Sequence, residues 1–154
     1  MSQMTGSLNE LVKALNDGIA FYDQALQRIG NPVYTDVFSR MRHLKISIAA
    51  DLSNEIAGEG EQAQTEEVEG TWLGSLRLNY ADLVANFADH PRYSFVEQLL
   101  AQEERLLEAF RQAREQDSSA RVKKLAGLYL PKIERMYEEM LDLKTLSALQ
   151  VNNI

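Results

Sequence analysis

Residues 8–38 read LNELVKALNDGIAFYDQALQRIGNPVYTDVF, and the pattern within them decides the fold class. Apolar side chains recur every three or four residues, which is the spacing of one face of an α-helix. The capping-box pattern Ser7-Leu8-Asn9-Glu10 predicts where this helix begins. Gly30 favours a helix end, and Asn31-Pro32 restarts a helix at once, with Asn as the cap. So short a connection predicts an antiparallel helical hairpin.

Helical spacing recurs along the rest of the chain. The second apolar stripe runs through Val37/Phe38, Met41, Leu44, Ile48, Leu52 and Ile56, and Gly58 ends it. After a loop over residues 58–70, a third helix is predicted to about Ala88 and a fourth over about 92–116. A fifth begins at a cap on Ser118 or Ser119. We predict one bent helix there, because Pro131 cannot donate to the Gly127 carbonyl.

Composition limits the classes of function. The chain has 154 residues, which suits one domain, predicted over 7–146 with short tails at 1–6 and 147–154. The absence of cysteine excludes disulfides and thiolate metal sites. A net charge of −7 argues against nucleic acid as a partner. The N-terminus lacks signal-peptide features, and no apolar run approaches the roughly 20 residues that span a bilayer, so we expect a cytoplasmic protein without a membrane partner.

Helix, tight turn, helix, long crossover, helix, short turn, helix is the order found in ferritin-like bundles. Further similarity extends over about residues 8–144, at Leu8-Asn9-Glu10-Leu11, Asp17-Gly18, Phe21-Tyr22, Phe38-x-x-Met41, Ala49-x-x-Leu52, Gly70-Thr71-Trp72, Glu103-Glu104 and Phe110. On these residues the chain resembles a bacterial family of ferritin-like bundles of unknown function. The resemblance implies an all-α fold: a ferritin-like antiparallel four-helix bundle with an additional crossover helix between the second and third bundle helices.

The di-metal site of ferritin-like proteins needs a Glu on each of two helices and Glu-x-x-His on each of the other two. The chain contains only His43 and His90, and neither follows a Glu by three residues. The positions matched to ligands are Ile19, Met41, Leu44, Glu103, and Glu134 with Tyr137. One inward carboxylate cannot hold two divalent ions. We therefore predict no metal ligand, no cofactor and no catalytic residue.

Glu103 interrupts an otherwise apolar stripe and is the most informative single residue. It could be a relic metal ligand or a proton-handling group. Alternatively it is structural and is bound by inward tyrosines or a lysine, because a buried carboxylate needs partners. We predict the structural role, with Tyr22, Tyr129, Tyr137 and Lys132 as the candidate partners.

Two surface features suggest contact with another protein. His43 is predicted to face solvent, where it would form a basic patch with Arg40, Arg42 and Lys45. That patch could bind the acidic residues between Lys45 and Arg77 of a second copy, or it is simply a solvated face. The aromatic residues Trp72, Tyr80 and Phe87 are predicted to dock the crossover helix, or to form a dimer seam.

We therefore expect a non-enzymatic bundle that acts through protein–protein contacts, as a homodimer or with another protein partner. The alternative from a different class is a divergent metal store or oxidase that uses carboxylates, with Glu103 first among them. A third hypothesis is a small-ligand pocket around Tyr22, Glu103 and Tyr129.

Overall fold

The structure, a computed structural model, describes residues 3–58 and 91–152. These ranges form four helices: α1 (Gln3–Arg28), α2 (Pro32–Gly58), α3 (Pro91–Gln116) and α4 (Ala120–Asn152). They contain no strand, which confirms the all-α prediction. The predicted crossover helix lies outside the described residues, as do its aromatic side chains and His90. Of the acidic residues between Lys45 and Arg77, only Asp51 and Glu55 are described, and both belong to α2. None of α1–α4 contains a stretch long and apolar enough to cross a lipid bilayer.

The helix ends follow local signals in the sequence. The Asn31 Oδ1 atom accepts a hydrogen bond from the Val33 backbone N–H at 3.0 Å, and α2 begins between them at Pro32. The Ser119 hydroxyl accepts one from the Val122 N–H at 3.3 Å. Both predicted caps are confirmed. The capping box at Ser7 is wrong, because α1 already begins at Gln3 and Ser7 lies within it.

The last helix continues through a proline. Pro131 lies inside α4, which is one helix rather than two, as predicted. Proline has no N–H, so the Gly127 carbonyl lacks the amide partner that a helix interior normally supplies. The bend at Pro131 stays a prediction.

Side-chain contacts give the directions of α1 and α3. Phe21 packs against Phe95 with ring centroids 6.1 Å apart, and the Gln102 amide donates to the Ala14 carbonyl at 3.4 Å. Moving back along α1 therefore means moving forward along α3, so these helices are antiparallel.

The helices α2 and α4 are also antiparallel, as two contacts at their opposite ends show. The Tyr34 and Ser147 hydroxyls are 2.9 Å apart near one end, and Arg121 binds Glu55 with N–O distances of 2.8 and 2.9 Å near the other.

Tyr22 packs against Phe38 and Gly18 lies against Lys45, so α1 and α2 are antiparallel, as predicted. Since α1 runs antiparallel to both α2 and α3, the helices α2 and α3 run parallel. Gly58 and Pro91 consequently lie at opposite ends of the bundle.

The core between the four helices is apolar with a few enclosed polar residues. Aromatic rings fill the end where α1 meets α2, with Tyr22 and Phe38 centroids 5.9 Å apart and Tyr34 and Phe38 centroids 6.3 Å apart. Among the residues that the structure describes, the buried charged ones are Asp17, Lys45 and Glu103, so the prediction of a single inward carboxylate is wrong. Burying such groups is costly unless they are paired, so they mark the part of the core where chemistry could reside.

The cap of α2 can be tested directly. Asn31→Ala should lower the free energy of unfolding by about 1 kcal/mol, because the Val33 N–H loses its side-chain acceptor. Asn31→Asp keeps an acceptor oxygen in the same place and should stay close to wild type. Urea denaturation of the three proteins checks this, and equal stability of the Ala and Asp variants would contradict the cap.

Candidate functional site

A lysine lies in the middle of the inward face of α2. The buried positions of that helix are Tyr34, Phe38, Met41, Lys45, Ile48, Ala49, Leu52 and Ile56. Lys45 is 0% exposed, whereas Leu44 is only partly buried at the edge of the core. The prediction that Leu44 takes the inward place is therefore wrong. So is the assignment of Ile19 to the inward face of α1, because Ile19 is half-buried while Tyr22 is enclosed.

Lys45 and Glu103 form an ion pair at the centre of the bundle. The Lys45 Nζ atom donates to Glu103 Oε1, and both side chains are fully buried. The Tyr22 hydroxyl donates to Glu103 Oε2 at 2.5 Å. Each carboxylate oxygen therefore has a donor from the chain itself. The predicted structural partner Tyr22 is confirmed, and Lys45 takes the role that Lys132, an exposed residue, was predicted to fill.

Two more contacts surround the lysine ammonium. Lys45 Nζ lies 3.8 Å from the Met136 sulfur and 5.4 Å from the centroid of the Tyr22 ring. Ammonium groups are attracted to the negative face of an aromatic ring, and the thioether sulfur is a soft, polarisable neighbour. We call Tyr22, Lys45, Glu103 and Met136 the central cluster. Its four members come from α1, α2, α3 and α4 respectively.

Burial and charge shift the titration of this cluster. Burial raises the pKa of Tyr22 well above its ordinary value, and the negative charge of Glu103 adds to the effect. Burial lowers the pKa of Lys45, because the ammonium loses its hydration, while the Glu103 carboxylate acts in the opposite direction. Removing one member of such a buried pair leaves an uncompensated charge, which typically costs about 3–5 kcal/mol.

Gly18 makes room for the cluster on α1. A Cβ atom at position 18 would lie 2.7 Å from Lys45 Cε and 2.7 Å from Gln102 Nε2. Real Cβ atoms do not approach other heavy atoms so closely, and both side chains are fully buried. The close approach of α1 to the lysine stem therefore requires glycine.

The remaining tyrosine candidates lie elsewhere. The Tyr129 hydroxyl donates to Asp51 Oδ2 at 3.0 Å, and burial together with that carboxylate raises the pKa of Tyr129 to about 12. Tyr137 is partly buried against the core. The proposed ligand pocket of Tyr22, Glu103 and Tyr129 is not assembled, because Tyr129 is bound to a different carboxylate.

The prediction of a basic patch that is free to bind a partner is wrong, because most of its residues are paired within the chain or buried. Arg40 binds Glu139 at 2.9 Å and Asp36 at 3.4 Å, and Arg42 binds Asp23. Lys45 is buried, so only His43 of the four is an exposed residue without an ion pair in the described part of the chain.

The central cluster is not extended by a group of metal ligands or by a neighbouring surface groove in the described part of the chain. Within residues 3–58 and 91–152, no three His, Asp or Glu side chains are grouped as metal ligands would be. The predicted ligand position Glu134 lies 3.5 Å from Arg111. Grooves of about 530 Å³ between α1 and α3, and about 630 Å³ between α3 and α4, are lined by other residues. The central cluster is thus enclosed, and its chemistry is that of a satisfied ion pair.

Gly18→Ala should destabilise the protein by about 1–3 kcal/mol, because the new methyl group overlaps Lys45 and Gln102. Alanine normally stabilises a helix relative to glycine, so the expected sign is reversed here. Gly127→Ala is the matched control: its Cβ would meet only Arg114 at 3.5 Å, and it should raise stability by up to about 1 kcal/mol. Chemical denaturation measures both, and stabilisation by Gly18→Ala would refute this account of the cluster.

Comparison with known proteins places the chain in a family. No curated protein and no solved structure shows significant similarity to it. The sequence profile described as "Domain of unknown function (DUF2383)" matches residues 3–116, which is well over half of the chain and includes Gly18, Tyr22, Lys45 and Glu103. The chain therefore belongs to the DUF2383 family, a family of unknown function.

Proposed function

We propose that this protein is a non-enzymatic, ferritin-like helical bundle that acts through protein–protein contacts, with the metal site of that fold replaced by an internal ion pair. The order of helix directions supports the ferritin-like assignment. The hairpins α1–α2 and α3–α4 are joined between helices that run parallel, and bundles with one long crossover connection share this arrangement.

The observation that carries the proposal is the occupancy of the Glu103 carboxylate. Oε1 accepts from the Lys45 ammonium and Oε2 from the Tyr22 hydroxyl. A divalent ion would have to displace both donors and then sit beside a positive charge. At about 4 Å the repulsion between two unit charges is already about 4 kcal/mol at an effective dielectric constant of 20, and a divalent ion doubles it.

The surroundings of Glu103 support the same conclusion. Enclosed side chains near the middle of α2 and α4 include Met41, Ile48, Ile133 and Met140, which offer no hard oxygen ligand. Neither of the two grooves described above is lined by a residue of the central cluster, so neither gives a substrate access to it. Glu103 and Lys45 thus act as a structural unit that links the two hairpins.

An exposed apolar face on α4 supports action through protein contacts. Leu141, Leu146 and Leu149 are 41%, 39% and 56% exposed. At about 100° per residue they fall within about 140° of the helix circumference, on the side away from the buried Leu143 and Ser147. We call these three residues the α4 leucine face. Exposed leucines grouped in this way mark contact surfaces more often than scattered ones do.

The partner that this face fits is a second copy of the chain. A protein with a net charge of −7 repels its own copies over most of its surface. The three leucines carry no charge, but the exposed Asp142 lies within the same arc of α4, so apolar contact between the leucines has to outweigh the repulsion between two copies. An interface between identical faces is self-complementary and closes as a dimer.

Metal content tests the first part of the proposal. Protein expressed in medium replete with iron, manganese and zinc should carry far less than one metal ion per chain after dialysis, measured by mass spectrometry. Stoichiometric metal that disappears on Glu103→Gln would overturn the proposal and establish a carboxylate metal protein instead.

Self-association tests the second part. Wild type should scatter light as a dimer at micromolar concentrations, and the double variant Leu146→Ser, Leu149→Ser should be a monomer with unchanged helical content. Leu128→Ser is the control, because Leu128 is 65% exposed but lies 18 residues, or about 27 Å, from Leu146 along α4. A single-chain mass for wild type across this concentration range would reject the dimer.

A further inference from the structure

We infer that the centre of the bundle is a binding site for a primary alkylammonium ion, which the chain fills with its own Lys45. The ammonium contacts a carboxylate oxygen, a thioether sulfur at 3.8 Å and an aromatic ring face at 5.4 Å. A carboxylate together with an aromatic ring is the combination that recognises organic ammonium ions.

The groups that bind the ammonium do not depend on α2. Tyr22, Glu103 and Met136 belong to the three other helices, and α2 contributes only the lysine. Tyr22 and Glu103 are also joined to each other by their own hydrogen bond at 2.5 Å. Shortening Lys45 therefore removes the bound cation and leaves its binding groups in place.

The stem of the lysine occupies a space that is specific for an unbranched chain. Gly18 lies against Lys45 Cε so closely that even a methyl group there would overlap it. The side-chain oxygen of Gln102 points to the same region and accepts no hydrogen bond within the described part of the chain. A narrow space that ends at a carboxylate selects a linear ammonium over a bulky or branched one.

The geometry identifies the probe. Replacing lysine by alanine deletes Cγ, Cδ, Cε and Nζ, and these atoms correspond to n-propylammonium. In Lys45→Ala the deleted volume is enclosed by the α1, α3 and α4 groups and carries an uncompensated negative charge at Glu103. A ligand that binds only the folded state raises its stability by mass action, so binding can be detected by thermal unfolding.

The experiment compares the melting temperature of Lys45→Ala in n-propylammonium chloride with that in sodium chloride and tetramethylammonium chloride at equal ionic strength. A saturable rise in melting temperature with n-propylammonium alone is expected. Wild type, whose site is full, and the surface control Lys132→Ala should show no such rise. Equal responses to the three salts would overturn the inference.

Three further measurements keep the test decisive. If Lys45→Ala does not fold alone, its refolding from urea should be restored by n-propylammonium, and failure of the amine to restore it counts against the inference. The double variant Lys45→Ala, Glu103→Gln lacks the carboxylate and should not respond to the amine. Tighter binding of manganese or zinc than of n-propylammonium by Lys45→Ala would show that the site selects metal rather than ammonium. The metal content of wild type, which tests the proposed function, is independent of these outcomes.

Discussion

A lysine ammonium and a glutamate carboxylate meet at the centre of this bundle, and neither is exposed to water. Lys45 lies on α2 and Glu103 on α3, and these two helices are diagonal partners without close backbone contact. The pair therefore ties the two hairpins together through the core rather than along an edge. Because burying two charges is costly, we propose that the pair serves to fix the relative position of the hairpins more than to add stability. A shift of α3 relative to α2 would separate the two charges. The position of α1 depends on the same pair, because Gly18 lies against Lys45 and Tyr22 donates to Glu103.

Local signals were enough to predict most of the fold. The Asn31-Pro32 restart and the Ser119 cap lie where the structure has them, because a cap depends on residues adjacent in sequence. The start of α1 was missed for the complementary reason. Ser7 and Glu10 match a capping box, but the preceding residues continue the helix, and an isolated pattern does not reveal that. The parallel relation of α2 and α3 follows from contacts between distant residues and could be expected only by analogy with ferritin-like bundles.

Two residues of the candidate site, Glu103 and Tyr22, could be predicted from the sequence, whereas Lys45 was not. Glu103 was recognised because a charge within an apolar stripe stands out, and Tyr22 because its position shares the inward phase of α1. Lys45 was assigned to the surface because lysines are seldom fully buried and Leu44 offers an apolar residue at nearly the same phase. The signal that could have identified it is the spacing of Tyr34, Phe38, Met41, Ile48 and Leu52. Steps of four and three alternate through that series only if residue 45 is included. The need of a buried carboxylate for a cation points to the same residue.

The separation of the cluster residues along the chain has a consequence for how the protein folds. Within the first hairpin, Asp23 and Arg42 are 19 residues apart, whereas Lys45 and Glu103 are 58 apart and Tyr22 and Glu103 are 81 apart. Contacts between near residues cost less chain entropy and form first, so each hairpin can arise before the two meet. Until they meet, Lys45 and Glu103 remain hydrated. Their dehydration then coincides with docking, and a misaligned encounter leaves two bare charges in an apolar interface. The burial of this pair therefore disfavours wrongly docked hairpins, because only the native alignment brings Lys45 and Glu103 together.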